Sequence, residues 1–293
     1  MDLRHLRLFL AVVDHGGFTT AAAAVHVAQP ALSLAVREVE RELDAILLVR
    51  SRKGVVLTPA GEALVEPARQ AIRDVEIAVA AVAAVTGVLA GHIDVAALPT
   101  LAADPLAAVA GRFRQAHPQV TVRIVATDDS TDLALAIRSG RSEIGVTEQG
   151  PANVGLIEHA IADQELVAVS PRTDKADTGV LDLATLAGVP LVLTPAGTSM
   201  RNVVDAALRD LGITPLIAVE TEQRDALVPL VLAGAGTAFV PRAIAEVASS
   251  QGAVVRGTHP ELRRRVVLVH REGTLSPAGA QFLVHAQAKS STK

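Results

Sequence analysis

The chain has 293 residues, half of them hydrophobic and a fifth charged, with no cysteine at all. That length calls for two or three domains, and the missing cysteine excludes disulfides, thiolate catalysis and cysteine-ligated zinc. A net charge of −4 excludes a generally basic nucleic-acid coat protein but not a local basic patch, while five phenylalanines without tyrosine or tryptophan argue against base stacking on single strands.

The opening "MDLRHLRLF" mixes charged with apolar residues and does not read as a signal peptide. "IAVAAVAAVTGVLAG", residues 77–91, is uncharged but shorter than the ~20 residues a bilayer requires. It reads as a helix interior running into a strand. A cytoplasmic protein with no membrane partner is expected.

Leu3, Leu6, Phe9, Leu10 and Val13 recur at helical spacing, with Asp2 placed to cap the start. "HGG" breaks that helix, and Thr19 begins a short second one whose alanines let another helix cross closely. Pro30 suits the first turn of a third helix that runs to about Leu43. "LLVRSRKGVVLTPAG" then gives two short extended runs around a Lys-Gly turn, a small hairpin.

From Pro59 a long helix is expected, uninterrupted to Gly87. Leu64, Ala68, Ala71, Val75, Ala78, Val82 and Val85 fall at alternating steps of four and three, the spacing of a coiled-coil seam. A helix buried in a larger domain would carry the same stripe. Its place between a helical unit and a different composition favours a dimerisation helix between domains.

After about His92 short strand-like runs alternate with helical stretches: "HIDVAAL", "VTVRIV", "EIGVT", "ELVAVS", "PLVLT", "IAVE", "GTAFV" and "RRVVLVH". Such alternation predicts an α/β domain with a largely parallel sheet. The runs fall into two groups, which predicts two lobes with a cleft between them. Expected boundaries are 1–58 for a DNA-binding unit, 59–89 for the linker helix and 90–293 for the two-lobed domain. Within the last, lobe I takes about 90–162 and 267–293, and lobe II about 163–266.

In the third helix, Leu32, Val36, Val39 and Leu43 form the stripe that packs inward. Pro30, Ser33, Leu34, Arg37 and Arg41 face the other way, with Gln29 at the N-terminal edge. Glutamine, serine and arginine on one helix edge are what a major-groove reader needs, since arginine bonds guanine and glutamine bonds adenine. Preceded by a short helix and a tight turn, this is a helix-turn-helix arrangement. Arg50, Arg52 and Lys53 near the hairpin would touch flanking phosphates. A solvated helix face is the plain alternative.

Residues 1–61 nevertheless resemble the winged helix-turn-helix of the LysR-type transcriptional regulators. The resemblance rests on the "LRHLRLFLAV" start, "GGFTTAA", "HVAQPALS", the arginine before the wing and the closing "LTPAG", all in order. It implies an N-terminal all-α winged helix-turn-helix, a long linker helix and a two-lobed α/β, periplasmic-binding-protein-like effector domain. It further implies double-stranded promoter DNA and a small-molecule effector as partners, and a homotetramer built as a dimer of dimers. By the same resemblance Gln29, Pro30, Ser33 and Arg37 enter the major groove, with Lys53 near the wing. Leu34 stands where the family usually carries a polar residue, so one base contact could be apolar, to a thymine methyl. Asp44 replaces a usual helix-ending glycine, and Leu48 a usual phenylalanine.

Parallel α/β lobes bind ligands beyond the carboxyl ends of their strands, where helix N-termini point in. That rule selects Thr100, Ser130 and Thr147 in the first lobe and Thr198, Ser199 and Arg201 in the second. Hydroxyls, free amides and an arginine suit a carboxylate or another small anion. Each serine or threonine could equally be a plain helix cap, and Arg201 a surface ion pair.

The nine histidines show no zinc-like pairing, so no metal or other cofactor is expected. "GAGTAF", residues 234–239, lacks the third glycine of a dinucleotide fingerprint and reads as a tight helix-to-strand turn. "RRR", residues 263–265, reads as a solvated strand edge. A solute-binding module of the periplasmic type and a two-lobed enzyme with hydroxyls in its cleft are the other readings. Against the first stand the expected lack of a signal peptide and the fused N-terminal unit; against the second, the lack of a positioned base or nucleophile.

Overall fold

The computed structural model describes residues 2–51, 54–85, 89–172 and 179–288. Asp2 accepts a hydrogen bond from the His5 amide at 2.7 Å and caps α1 (Leu3–His15), which ends at Gly16 in the left-handed region. In α2 (Phe18–Ala24) Ala21 and Ala22 are buried, and their small side chains let α1 and α3 (Gln29–Leu43) approach closely. Leu32, Val36 and Val39 of α3 turn into the core beside Phe9 and Leu47. Leu43 does not: it is 41% exposed, because α3 outruns the small core it covers. Asp44 ends the helix at φ 47°, the left-handed position for which glycine is the unstrained choice. β1 (Leu48–Ser51) and β2 (Gly54–Leu57) pair antiparallel as the hairpin.

α4 (Pro59–Val85) runs unbroken through Gly61 and Pro67. Gly61 sits where α4 abuts the hairpin, and a Cβ there would overlap the Leu47 carbonyl oxygen. Leu64, Ala68 and Ala71 pack onto the head's own core, with Ala68 1% exposed. The first half of the expected seam is therefore used within one chain, because the three short helices cannot close their core without it. Val75, Ala78 and Val82 remain exposed; the side chain of Val85 lies outside the described residues. Further along, Arg69 pairs with Asp14 in the head, and Arg73 donates to the Gly140 carbonyl in the next domain. Burial, then repulsion from Arg271, pushes the Arg73 guanidinium down to about 10.

The first lobe places β3 (Gly91–Ala97) between β4 (Val120–Ala126) and β5 (Ile144–Glu148), all parallel. α5 (Pro99–Leu101), α6 (Ala107–Ala116) and α7 (Ser130–Arg138) connect them. β6 (Ile157–Ser170) then crosses to the second lobe. There β7 (Leu181–Asp182), β8 (Pro190–Leu193), α8 (Ser199–Asp210), β9 (Leu216–Glu220), α9 (Leu227–Leu232), β10 (Ala238–Pro241), α10 (Arg242–Ser250), β11 (Val254–Arg256) and β12 (Thr258–His259) follow. β13 (Leu262–His270) returns antiparallel along β6, and α11 (Pro277–Gln287) closes the first lobe with Phe282 edge-on to Phe113.

The main sheet has the order β10-β6-β13-β5-β3-β4, with β11 also on β6. It is mixed, not largely parallel, because the chain crosses on β6 and must return on β13, and both run antiparallel to their neighbours. Two apolar cores result, one around Val95, Phe113, Ile144 and Phe282, the other around Leu191, Val204, Val231 and Phe239. β13 serves both: Leu262 enters the second core and Val266 to Val269 the first, with a register shift against β6 between Val266 and Val267. The "GAGTAF" segment makes the tight turn from α9 into β10, with Gly234 and Gly236 at positive φ.

Candidate functional site: the helix-turn-helix face and the interlobe cleft

α2 and α3 meet at 110° across the break at residues 25–28, within the range of a helix-turn-helix. The amphipathic pattern of α3 decides which side chains are left outside. Gln29, Pro30 and Arg37 are exposed, Ser33 is half-buried, and Leu34 is 59% exposed, a large apolar side chain on a polar face. Arg41 folds back on Glu38 through two bonds of 3.0 and 2.7 Å. Arg37, by contrast, makes no ion pair among the described residues, so its guanidinium is available to a partner. The wing is held against α3 by Glu40, whose carboxylate accepts from the Leu47 and Leu48 amides at 2.9 and 3.3 Å. The side chain of Arg50 and all of Arg52 and Lys53 lie outside the described residues.

The cleft is built where β3 and β5 end in the first lobe and α8 begins in the second, with the two crossing strands as its floor. At its centre is Arg264 of β13, only 4% exposed. Its Nη2 donates to Thr100 Oγ1 at 2.8 Å, its Nη1 to Ser199 Oγ at 2.7 Å, and its Nε to Gln164 Oε1 at 2.8 Å. One guanidinium thus touches both lobes and β6. Burial pushes it down to about 10, against the opposing pull of Glu148 and Asp104. Gln164 is held in turn by its amide donating to the Asp104 carbonyl at 2.6 Å and carboxylate at 2.9 Å.

A second set of bonds centres on Glu148 at the end of β5. Its carboxylate accepts from Ser199 Oγ at 2.5 Å and from Ser130 Oγ at 3.4 Å, while Thr147 Oγ1 donates to Ser130 Oγ at 3.2 Å. The two lobes also meet where Arg224 Nη2 donates to the Asp128 carbonyl at 3.3 Å. Beside Glu148, between α8 and the start of β13, opens a cavity of about 520 Å³ walled by Val203, Ala206, Leu211 and Leu262.

Of the residues selected from sequence, Thr100, Ser130, Thr147 and Ser199 come together in this network. Thr198 and Arg201 do not. Thr198 bonds within its own turn, to Thr194 Oγ1 at 2.7 Å and the Pro195 carbonyl at 2.9 Å. Arg201 runs back into the second lobe, to Asp205 at 2.7 Å, the Thr194 carbonyl at 2.9 Å and Glu220 at 3.3 Å. The "RRR" run is likewise not a solvated edge, because β13 is central in the sheet and strand alternation turns Arg264 inward between exposed Arg263 and Arg265. Arg264, Gln164, Glu148 and Asp104 are the residues the sequence reading missed. Among the described residues no group of three metal-ligating side chains occurs, and no single helix is long and apolar enough to cross a membrane.

Comparison with known proteins matches both parts of the chain to one family. Residues 3–62 match the family model "Bacterial regulatory helix-turn-helix protein, lysR family", and residues 86–290 match "LysR substrate binding domain". The HTH-type transcriptional regulator TcbR of Pseudomonas sp. (strain P51) is 29% identical over 296 residues, covering 98% of both chains. TfdS of Cupriavidus pinatubonensis (strain JMP 134 / LMG 1197) is 29% identical over 250 residues, 84% of each. The structure of full-length CbnR in complex with its target DNA superposes with a TM-score of 0.66 at 25% identity, covering 98% of this chain and 99% of that one. With a head that presents one helix outward, a linker helix and a two-lobed domain with a polar cleft, the chain belongs to the LysR family of transcriptional regulators, a non-catalytic class of DNA-binding proteins with an effector-binding α/β domain.

Proposed function

We propose that this regulator reads promoter DNA through α3 and answers to a small molecule bearing a carboxylate, held in the cleft by Arg264. The observation that carries the proposal is that the buried Arg264 guanidinium spans both lobes and, among the described residues, hydrogen-bonds neutral partners alone. A buried cation without a carboxylate is under-compensated, and an incoming carboxylate would supply the missing charge through a charge-assisted pair. Thr100 and Ser199 flank that position, with Ser130 and Thr147 behind Glu148.

On DNA, Gln29, Pro30, Ser33, Leu34 and Arg37 are assigned to the major groove, and Arg50, Arg52 and Lys53 to phosphates. The likeness to CbnR, which was solved with its target DNA, supports that assignment. Residues 1–58 form the DNA-binding unit, 59–89 the linker and 90–293 the effector domain. Val75, Ala78 and Val82 join two chains, and pairs of dimers assemble into a homotetramer. A protein that works on promoter DNA works in the cytoplasm. Ligand affects output only through unequal affinity for two arrangements of the lobes.

The test is fluorescence-anisotropy binding of the full chain to DNA from the gene's own upstream region and to scrambled DNA, over a salt series. Selective binding that weakens with salt is expected, and a panel of carboxylates should shift it for the wild type but not for Arg264→Met. Equal weak binding to both DNAs, or an unchanged carboxylate response in Arg264→Met, rejects the corresponding half of the proposal.

A further inference from the structure

The cleft holds two opposite charges that do not touch each other. Among the described residues Arg264 bonds neutral partners only, and the Glu148 carboxylate accepts only from the hydroxyls of Ser199 and Ser130. One oxygen, Ser199 Oγ, stands between them, 2.7 Å from Arg264 Nη1 and 2.5 Å from Glu148 Oε2. Asp104 lies close behind, bonded to Gln164. A ligand carrying a carboxylate and nothing else would gain at Arg264 and be repelled by Glu148 and Asp104.

The helix that begins here adds a direction. Thr198, at the N-cap of the twelve-residue α8, makes no side-chain cap bond, so the leading amides of α8 lack the acceptor that Asp129 supplies to α7. Uncapped amides and an arginine without a carboxylate in direct contact lie on one side of Ser199, and a carboxylate bonded to hydroxyls lies on the other.

We infer, building on the reading of this cleft as the effector site, that the effector is an α-amino acid. Its carboxylate binds Arg264 and the N-terminus of α8, and its ammonium binds Glu148. The two charged groups of an α-amino acid sit on one carbon, which suits two protein charges separated by a single hydroxyl. The aliphatic wall of Val203, Ala206, Leu211 and Leu262 beside Glu148 gives its side chain an apolar place to lie.

The test is calorimetry and thermal-shift titration of the full-length protein with the twenty standard α-amino acids. Each is compared with the same molecule lacking its amino group and with the amine lacking its carboxylate. The expected result is that at least one amino acid binds and both of its analogues bind at least tenfold more weakly. Glu148→Gln, nearly isosteric at a half-buried position, should remove the preference for the amino acid over its deaminated acid, and Arg264→Met should remove binding of both. If the deaminated acid binds as tightly as the amino acid, and more tightly still to Glu148→Gln, the effector is a simple anion. That result overturns this inference and leaves the role of Arg264 standing. Failure of all twenty to bind also overturns it. Binding that ignores both substitutions overturns it together with the reading of the cleft.

Discussion

Arg264 donates to the Ser199 hydroxyl at 2.7 Å, and the same oxygen donates to Glu148 at 2.5 Å. A strand shared by both lobes, the first residue of α8 and the end of β5 are thereby joined through one atom. Ser199→Ala leaves a cation and a carboxylate each short of a partner. Hydrogen bonds to charged groups contribute roughly 1.5–3 kcal/mol each, so a loss of about 2 kcal/mol is expected after partial rehydration. Urea denaturation of the full chain, followed by circular dichroism, measures it.

Gly61 offers a test in which local propensity and packing point in opposite directions. Within a helix, glycine to alanine is ordinarily favourable by about 1 kcal/mol. Here the new Cβ overlaps the Leu47 carbonyl oxygen and lies 2.9 Å from Leu57 Cδ2, and close-packed interiors charge about 1–3 kcal/mol for such intrusion. Gly61→Ala should therefore lower the melting temperature of the head and weaken DNA binding. A stabilised head would show that α4 and the hairpin can separate at no cost.

Arg37 is exposed and without an ion pair among the described residues, so its loss should leave the fold untouched. Arg37→Ala is expected to reduce discrimination between operator and scrambled DNA by about 1–3 kcal/mol, the contribution of one bidentate base contact. Anisotropy measures the ratio, and wild-type discrimination would remove Arg37 from the reading face.

The two halves of the α4 stripe should answer differently to charge. Val82, 72% exposed, is free for a partner chain, and Val82→Asp should shift the mass in light scattering towards monomer with the head still folded. Ala68, enclosed by its own head, should instead lose the fold of residues 3–57 when changed to Asp, because an unpaired buried charge is strongly destabilising. An unaltered mass for Val82→Asp would remove this face from the assembly.

His159 on β6 and His270 on β13 stack with ring centroids 5.2 Å apart and Nε2 atoms at 3.1 Å. Burial, then the charge of His270, lowers the pKa of His159 below the ordinary histidine value. Near pH 6 the folded state thus holds fewer protons at this site than the unfolded chain. Stability rises with pH through that window and falls on acidification below about 6.5. Melting temperatures between pH 8 and 5.5 should decline for the wild type and decline less for His159→Gln.

What the sequence disclosed and what it hid follow from local physics. Leu32, Val36 and Val39 were legible because a helix repeats every 3.6 residues, and Asp2 because capping needs only its nearest amides. Thr100, Ser130 and Ser199 were legible because helices that follow strand ends converge on a cleft. Arg264 was hidden in a run of three identical residues, where composition suggests solvent and only the strand's two-residue alternation singles out the middle one. Arg201 sits at the selected helix start, but its long side chain reaches Asp205 one turn on and Glu220 on another strand. Nothing local announces that destination. The front of β6, "IEHAIADQ", is too polar to read as a strand and is held as one by pairing with β13.

Arg73 gripping the Gly140 carbonyl, so closely that a Cβ on Gly140 would collide with the guanidinium, has a mechanical consequence. It ties the linker helix to the first lobe, as the Arg69–Asp14 pair ties it to the head. Only β6 and β13 carry the backbone between the first lobe and the second. A ligand that shifted one lobe against the other would therefore act on a first lobe already tied to the linker helix through Arg73.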